Sequence, residues 1–371
     1  MLGRAYAVTS SPSAASLTPM ADQGHLREAL QWSRSTRINA VSVAVSAVCI
    51  GAPLLVAAKV GHANAGYAVA LGAMLADRGT PLLGSLREQL KSSAKSLAPL
   101  LLSSIIAIAI AGHGIATEIA LVGLISLSAA IGSASKTAAT TAARFNPLLL
   151  IIAGLVENTS SRTGTLVLVL GGALLPTFAQ LLARPLLLRA LRSDPTPLEI
   201  DAAAAPIPAT IRLSQKLRSL SAWDYPIRLA ACLSAGIVLI RVWPGHRMDW
   251  VLLTVILTIR RQTEVLPVRV TQRALGTVAG VLIAELIMTF ARVGLVVLVI
   301  IVALGALRPI TKNRNYLLYS AVMTPLILLI VDRGGHSDSS VLADRLIATL
   351  IGAALVIAAN LISPKLMRSS A

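Results

Sequence analysis

The chain has 371 residues, 55% of them hydrophobic and only 13% charged, and its mean hydropathy is +0.76. A soluble domain carries roughly a quarter charged residues, so this balance excludes an ordinary water-soluble enzyme and predicts an all-α polytopic membrane protein. The formal charge of +17 does not indicate nucleic acid, because the basic residues stand in loops between apolar runs rather than on one soluble face.

Residues 1–37 are polar and rich in Ser and Ala, with no apolar h-region, and are expected as a cytoplasmic N-terminal segment. Within it, H-L-R-E-A-L-Q-W reads as a short amphipathic helix on the membrane surface. Six apolar spans follow at 38–58, 63–77, 97–111, 115–134, 145–156 and 164–183, which make a first membrane half over 38–184. A linker, 185–225, carries Pro195, Pro197, Pro206 and Pro208 and is expected outside the membrane. Six more spans, at 226–243, 248–259, 273–290, 292–307, 316–331 and 342–362, make a second half over 226–363, with a cytoplasmic tail at 364–371. About twelve transmembrane helices in two six-helix halves are therefore predicted. Cytoplasmic termini would leave only Lys59, Arg162, Arg241, Arg247, Arg292, Arg333 and Arg345 on the outer side, which satisfies the positive-inside rule.

The second half repeats itself. Arg273, Thr277 and Gly280 stand at i, i+4 and i+7 and share a helix face, and Arg345, Thr349 and Gly352 repeat the spacing. Trp250 precedes Thr258 by eight residues, as Tyr316 precedes Thr324. The predicted topology sets the two Arg-to-Gly helices antiparallel, the pattern of an inverted 3+3 repeat, with Tyr67 and Lys91 as a blurred copy in the first half. Spans 63–77 and 248–259 fall at matching positions and are shorter than the ~20 residues a crossing takes, which points to a transport site at the repeat interface.

Arg273 presents a rigid fork of donors suited to a carboxylate, and Arg260, Arg261 and Arg269 at the same mouth either gather anions with it or meet lipid headgroups. Trp250 and Tyr316 offer ring faces or serve as interface belt residues; Thr254, Thr277 and Arg345 complete the candidate substrate set. Glu285, taken as about 18 Å beyond Arg273 along one helix, is expected inside the membrane as a proton carrier or as a paired structural carboxyl. Gly276, Gly280 and Gly352 are expected to permit close helix contacts. Cys49 and Cys232 read as small buried hydrophobes, Glu118 as interfacial, Asp249 as a helix cap, and His113, His246 and His336 as solvent-facing. There is no G-x-x-x-x-G-K-[ST] phosphate loop, no hydrolytic constellation and no metal spacing, so neither an enzyme nor a bound cofactor or metal is expected.

The pieces Y-P-I-R-L-A-A (225–231), D-W-V-L-L-T-V (249–255), T-Q-R-A-L-G-T-V-A-G (271–280), R-N-Y-L-L (314–318) and D-R-L-I-A-T-L-I-G-A (344–353) occur in an order that resembles the fusaric acid resistance, or aromatic acid exporter, family. The resemblance is clear over 225–365 and weaker over 37–184. It implies an inner-membrane exporter of aromatic carboxylic acids, working in many members with a periplasmic adaptor and with a large cytoplasmic domain where this chain has only its short linker. Proton-driven efflux of small organic carboxylates is thus the expected function, with a homo-oligomer among the expected assemblies. A passive organic-anion channel and a non-transporting membrane subunit are the alternatives.

Overall fold

The computed structural model describes residues 40–77, 85–157, 159, 161–185, 223–261, 266–290, 294–312, 314–331 and 339–369. The expected surface helix near residue 25, most of the linker, Arg292, Arg333 and His336 lie outside these residues. Among the described residues there are twelve helices, which we number α1 (Ala40–Val60), α2 (Ala63–Ala76), α3 (Leu86–Ile110), α4 (Ile115–Ile131), α5 (Lys136–Glu157), α6 (Arg162–Leu182), α7 (Asp224–Val242), α8 (Asp249–Thr258), α9 (Leu266–Phe290), α10 (Gly294–Lys312), α11 (Tyr316–Val331) and α12 (Ser339–Ser369). Each coincides with one predicted span. Eight are long and apolar enough to cross a membrane, whereas α2, α4, α8 and α11 are shorter apolar helices. At about 1.5 Å per residue, the ten residues of α8 reach only ~15 Å, half of a hydrocarbon core.

The boundaries moved where polar residues continue a helix past its apolar stretch. Helix α3 begins eleven residues before its expected span, fixed by a capping box in which Ser85 accepts from the Glu88 amide while the Glu88 carboxylate accepts from Ser85 N. Helix α9 starts at Leu266 rather than residue 273, and α12 runs through the expected tail to Ser369. Asp249 is the first residue of α8, not its cap; Met248 holds that position. Cys49 and Cys232 are free and buried, as expected of small apolar groups.

The helices interleave rather than packing as two separate groups. One apolar core joins α3, α4, α5 and α6 to α7, α8 and α12 through residues such as Ile125, Leu149, Ile152, Leu229 and Val255. A second joins α1 and α2 to α10 and α11 through Ile50, Leu71, Ile301 and Leu326. The outer surface carries exposed Ile105, Ile119, Val167, Leu282 and Phe290, as a surface facing acyl chains requires. Lipid tails are as apolar as Leu, so helix association must come from close packing, and glycines supply it. Gly72 of α2 lies against the carbonyl of Val169, three residues before Gly172, and Gly172 of α6 lies against that of Val69, three before Gly72. The same step recurs in the second half. A Cβ at Gly280 would stand 2.9 Å from the Ala321 carbonyl and 2.7 Å from Thr324 Cβ; one at Gly352 would stand 3.1 Å from the Val251 carbonyl and 2.9 Å from Thr254 Cβ.

Candidate functional site

Helices α9 and α11 run side by side in the same direction, since Gly276 meets Leu317 and Ser320 while Gly280 meets Ala321 and Thr324. Their facing residues form a ladder. The Arg269 guanidinium lies 3.0 Å from the centroid of the Tyr316 ring, and one turn on Arg273 Nη1 donates to Ser320 Oγ at 3.2 Å. Helices α12 and α8 repeat the arrangement: Arg345 lies 3.6 Å over the Trp250 ring, and Gly352 meets Thr254. In this register the counterpart of Ser320 is Trp250, each four residues before its Thr. The eight-residue echo that aligns Trp250 with Tyr316 and Thr258 with Thr324 is therefore not the packing register.

Arg273 and Arg345 are only 3% and 1% exposed, and Thr254, Thr277, Thr324 and Thr349 are buried with them. Thr349 and Thr324 donate back to the carbonyls of Arg345 and Ser320, at 2.8 and 2.9 Å, which ties up their hydroxyls. The hydroxyls of Thr254 and Thr277 have no hydrogen-bond partner among the described residues. Gly276, Gly280 and Gly352 are the close contacts expected of them.

Several expected site residues sit elsewhere. Arg261 donates to the carbonyl of Ala129 and lies 5.0 Å over the Tyr225 ring, so it ties α8 to α4 and α7 and stands apart from Arg273. Arg260 bonds the Leu257 carbonyl at 3.3 Å, half-buried at the rim. The ring faces of Trp250 and Tyr316 are covered by the protein's own arginines. Glu285 is exposed on the outer surface of α9 between exposed Leu282 and Leu286, away from the ladder. Twelve residues on from Arg273, Glu285 is turned about 120° around the helix from the ladder, and the early start of α9 also puts it only five residues from the far end. Lys91 is exposed on α3 and does not occupy a place like that of Arg273.

The sequence alone did not single out the buried ion pairs. Asp344, one residue before Arg345, accepts from the Arg247 amide at 3.0 Å and meets His246 Nδ1 at 2.7 Å; His246 faces solvent as expected, at 46% exposure, and also has this carboxylate partner. Asp77, at the end of α2, takes Arg308 of α10 at 3.2 Å through its carboxylate and at 3.0 Å through its carbonyl. Glu118 does lie near a helix end, paired with Arg241 at 3.0 Å. The available signal was the run of Arg269 and Arg273 one turn apart on the face that also carries Gly276 and Gly280.

A bundle of apolar helices with exposed aliphatic surfaces and buried arginines on closely packed helices defines a multi-pass membrane protein. Residues 233–359, from α7 into α12, match the family described as fusaric acid resistance protein-like, so the chain carries a domain of that kind, and the whole Arg-Thr-Gly ladder falls inside it. No curated protein and no solved structure matches the chain.

Proposed function

We propose that this protein is a secondary transporter that moves small organic carboxylates, aromatic ones foremost, across a cell membrane along the seam between α9 and α12. The observation that carries the reading is the pair of buried arginines, Arg273 and Arg345, set the same distance before Gly280 and Gly352 on helices that each pack against a short helix. A buried guanidinium in an apolar bundle needs acceptors, and the fork of Arg273, which meets Ser320 through Nη1, fits a carboxylate. The unpartnered hydroxyls of Thr254 and Thr277 continue the polar line between the arginines. We read the arrangement as an inverted repeat within the second of two six-helix halves. It is supported by the matching contacts of Gly280 with Thr324 and of Gly352 with Thr254, and by the common use of the α2–α6 and α8–α12 pairs. The basic residues favour cytoplasmic termini, with Arg273 toward the cytoplasm.

Proton drive requires a carboxylate on the route. Glu285 is exposed on α9, and the carboxylate of Asp344 is taken up by His246 and the Arg247 amide. The outward position of Glu285 favours a second reading, a passive anion channel on the same seam. Purified protein in liposomes, given radiolabelled 4-hydroxybenzoate, tests the first. The parent should accumulate the acid when a proton gradient is imposed, and Arg273→Ala should slow flux by about tenfold or more, the loss of a charge-assisted hydrogen bond. Flux that persists unchanged with the gradient collapsed would identify a channel. Flux no greater than in empty liposomes across a panel of aromatic acids would remove the transport reading.

A further inference from the structure

The two ends of the ladder differ in charge. At the α12 end Arg345 lies over Trp250, and the residue before it, Asp344, is an acid whose carboxylate meets His246 and the Arg247 amide. At the α9 end Arg269 and Arg273 stand one turn apart with Arg260 near Arg269, and among the described residues none of them is seen paired with a carboxylate. Asp77 of α2 is engaged by Arg308. Three donors at this end are buried without an acceptor: Nε of Arg269, Nε of Arg273 and the hydroxyl of Tyr316. Arg273 is more than nine-tenths buried, and among the described residues its hydrogen bond is to Ser320. Buried donors are almost always satisfied, so three together with surplus positive charge define a place for a group that only accepts.

We infer that Arg269, Arg273 and Tyr316 form a carboxylate-binding site at the N-terminal end of α9, in which Tyr316 fixes the plane of Arg269 so that its edge donors meet the acid head. The inference rests on the transport reading and adds to it the residues that recognise the head group. Stacking on Tyr316 uses the face of the Arg269 guanidinium and leaves its in-plane N–H groups as the donors that remain. Tyr319 stacks on Tyr316 at 6.2 Å between centroids and braces the ring from within α11. A planar fork recognises a carboxylate by geometry, whereas a point charge would accept any small anion. The site therefore takes an organic carboxylate in preference to a spherical halide.

Calorimetric titration of benzoate into the full chain in lipid nanodiscs tests this. Arg269→Lys keeps the charge but loses the stacked fork and should weaken benzoate binding about tenfold; Tyr316→Phe keeps the ring, loses one donor, and should weaken it about fivefold. Lys91→Ala, which removes a positive charge from an exposed position on α3, should bind as the parent does. Chloride at the same concentration should displace little benzoate. The inference is overturned if Arg269→Lys and Tyr316→Phe bind benzoate like the parent, if Lys91→Ala loses as much, or if chloride competes as well as benzoate. A parent that binds and transports aromatic acids while these variants are unaffected would sink this site alone. A parent that neither binds nor transports them would remove the transport reading with it.

Discussion

Arg308→Leu should destabilise the protein by about 3–5 kcal/mol, because it strands the carboxylate of Asp77 in the interior. Both side chains are buried, at 7% and 4% exposure, and the guanidinium also holds the Asp77 carbonyl at the end of α2. The pair thereby joins α10 to α2 across the second apolar core. Replacing both partners, Arg308→Leu with Asp77→Leu, removes the stranded charge and should recover most of the loss, since two apolar side chains of similar volume suit that core. Recovery should stay incomplete, because the Asp77 carbonyl keeps no donor in place of the guanidinium. Equilibrium unfolding in mixed micelles reads all three variants. A single substitution costing under about 1 kcal/mol would mean that the carboxylate reaches water and the pair is not the tie described.

The second large effect separates two neighbouring glycines. A Cβ on Gly172 would run into the α2 backbone at Val69, touching its carbonyl oxygen, its carbonyl carbon at 2.7 Å and its Cα at 2.9 Å, whereas one on Gly171 would meet nothing within 4 Å. Backbone cannot swing aside as the end of a side chain can, so Gly172→Ala must push α2 and α6 apart. The expected cost is about 1–3 kcal/mol or more, together with less folded protein on size exclusion. Gly171→Ala adds a better helix former at an open position beside the apolar crevice between α3 and α6 and should be neutral or stabilising by up to ~1 kcal/mol. Equal melting temperatures for the two variants would show that the α2–α6 crossing has room for a methyl group at Gly172.

The stability of the bundle and the chemistry of its seam use the same device. Glycines let α9 and α11, and α8 and α12, approach closely, and that approach excludes solvent from Arg273 and Arg345. A substitution that loosens a crossing should therefore alter the arginines' surroundings as well as the fold. For that reason the head-group variants proposed at Arg269 and Tyr316 conserve volume.

Sequence by itself determined the membrane class, the number and order of the helices and the Arg-Thr-Gly spacing, because hydropathy and helical periodicity are local properties that survive without knowledge of neighbours. It also marked Gly276, Gly280 and Gly352 as contacts, since small residues repeated on one face have few other uses in lipid. Boundaries were less legible: the polar first turns of α3 and α9 carry no hydropathy signal, and that error in α9 misplaced Glu285 along its helix. Only the tertiary structure decided which partner each group meets. Arg269 on Tyr316, Arg345 on Trp250, Asp77 with Arg308 and Asp344 with His246 join residues between 47 and 231 positions apart. Such pairings depend on how helices rotate and cross, which no single segment encodes; they set an arginine over each of the two rings, and helix rotation left the carboxylate of Glu285 exposed.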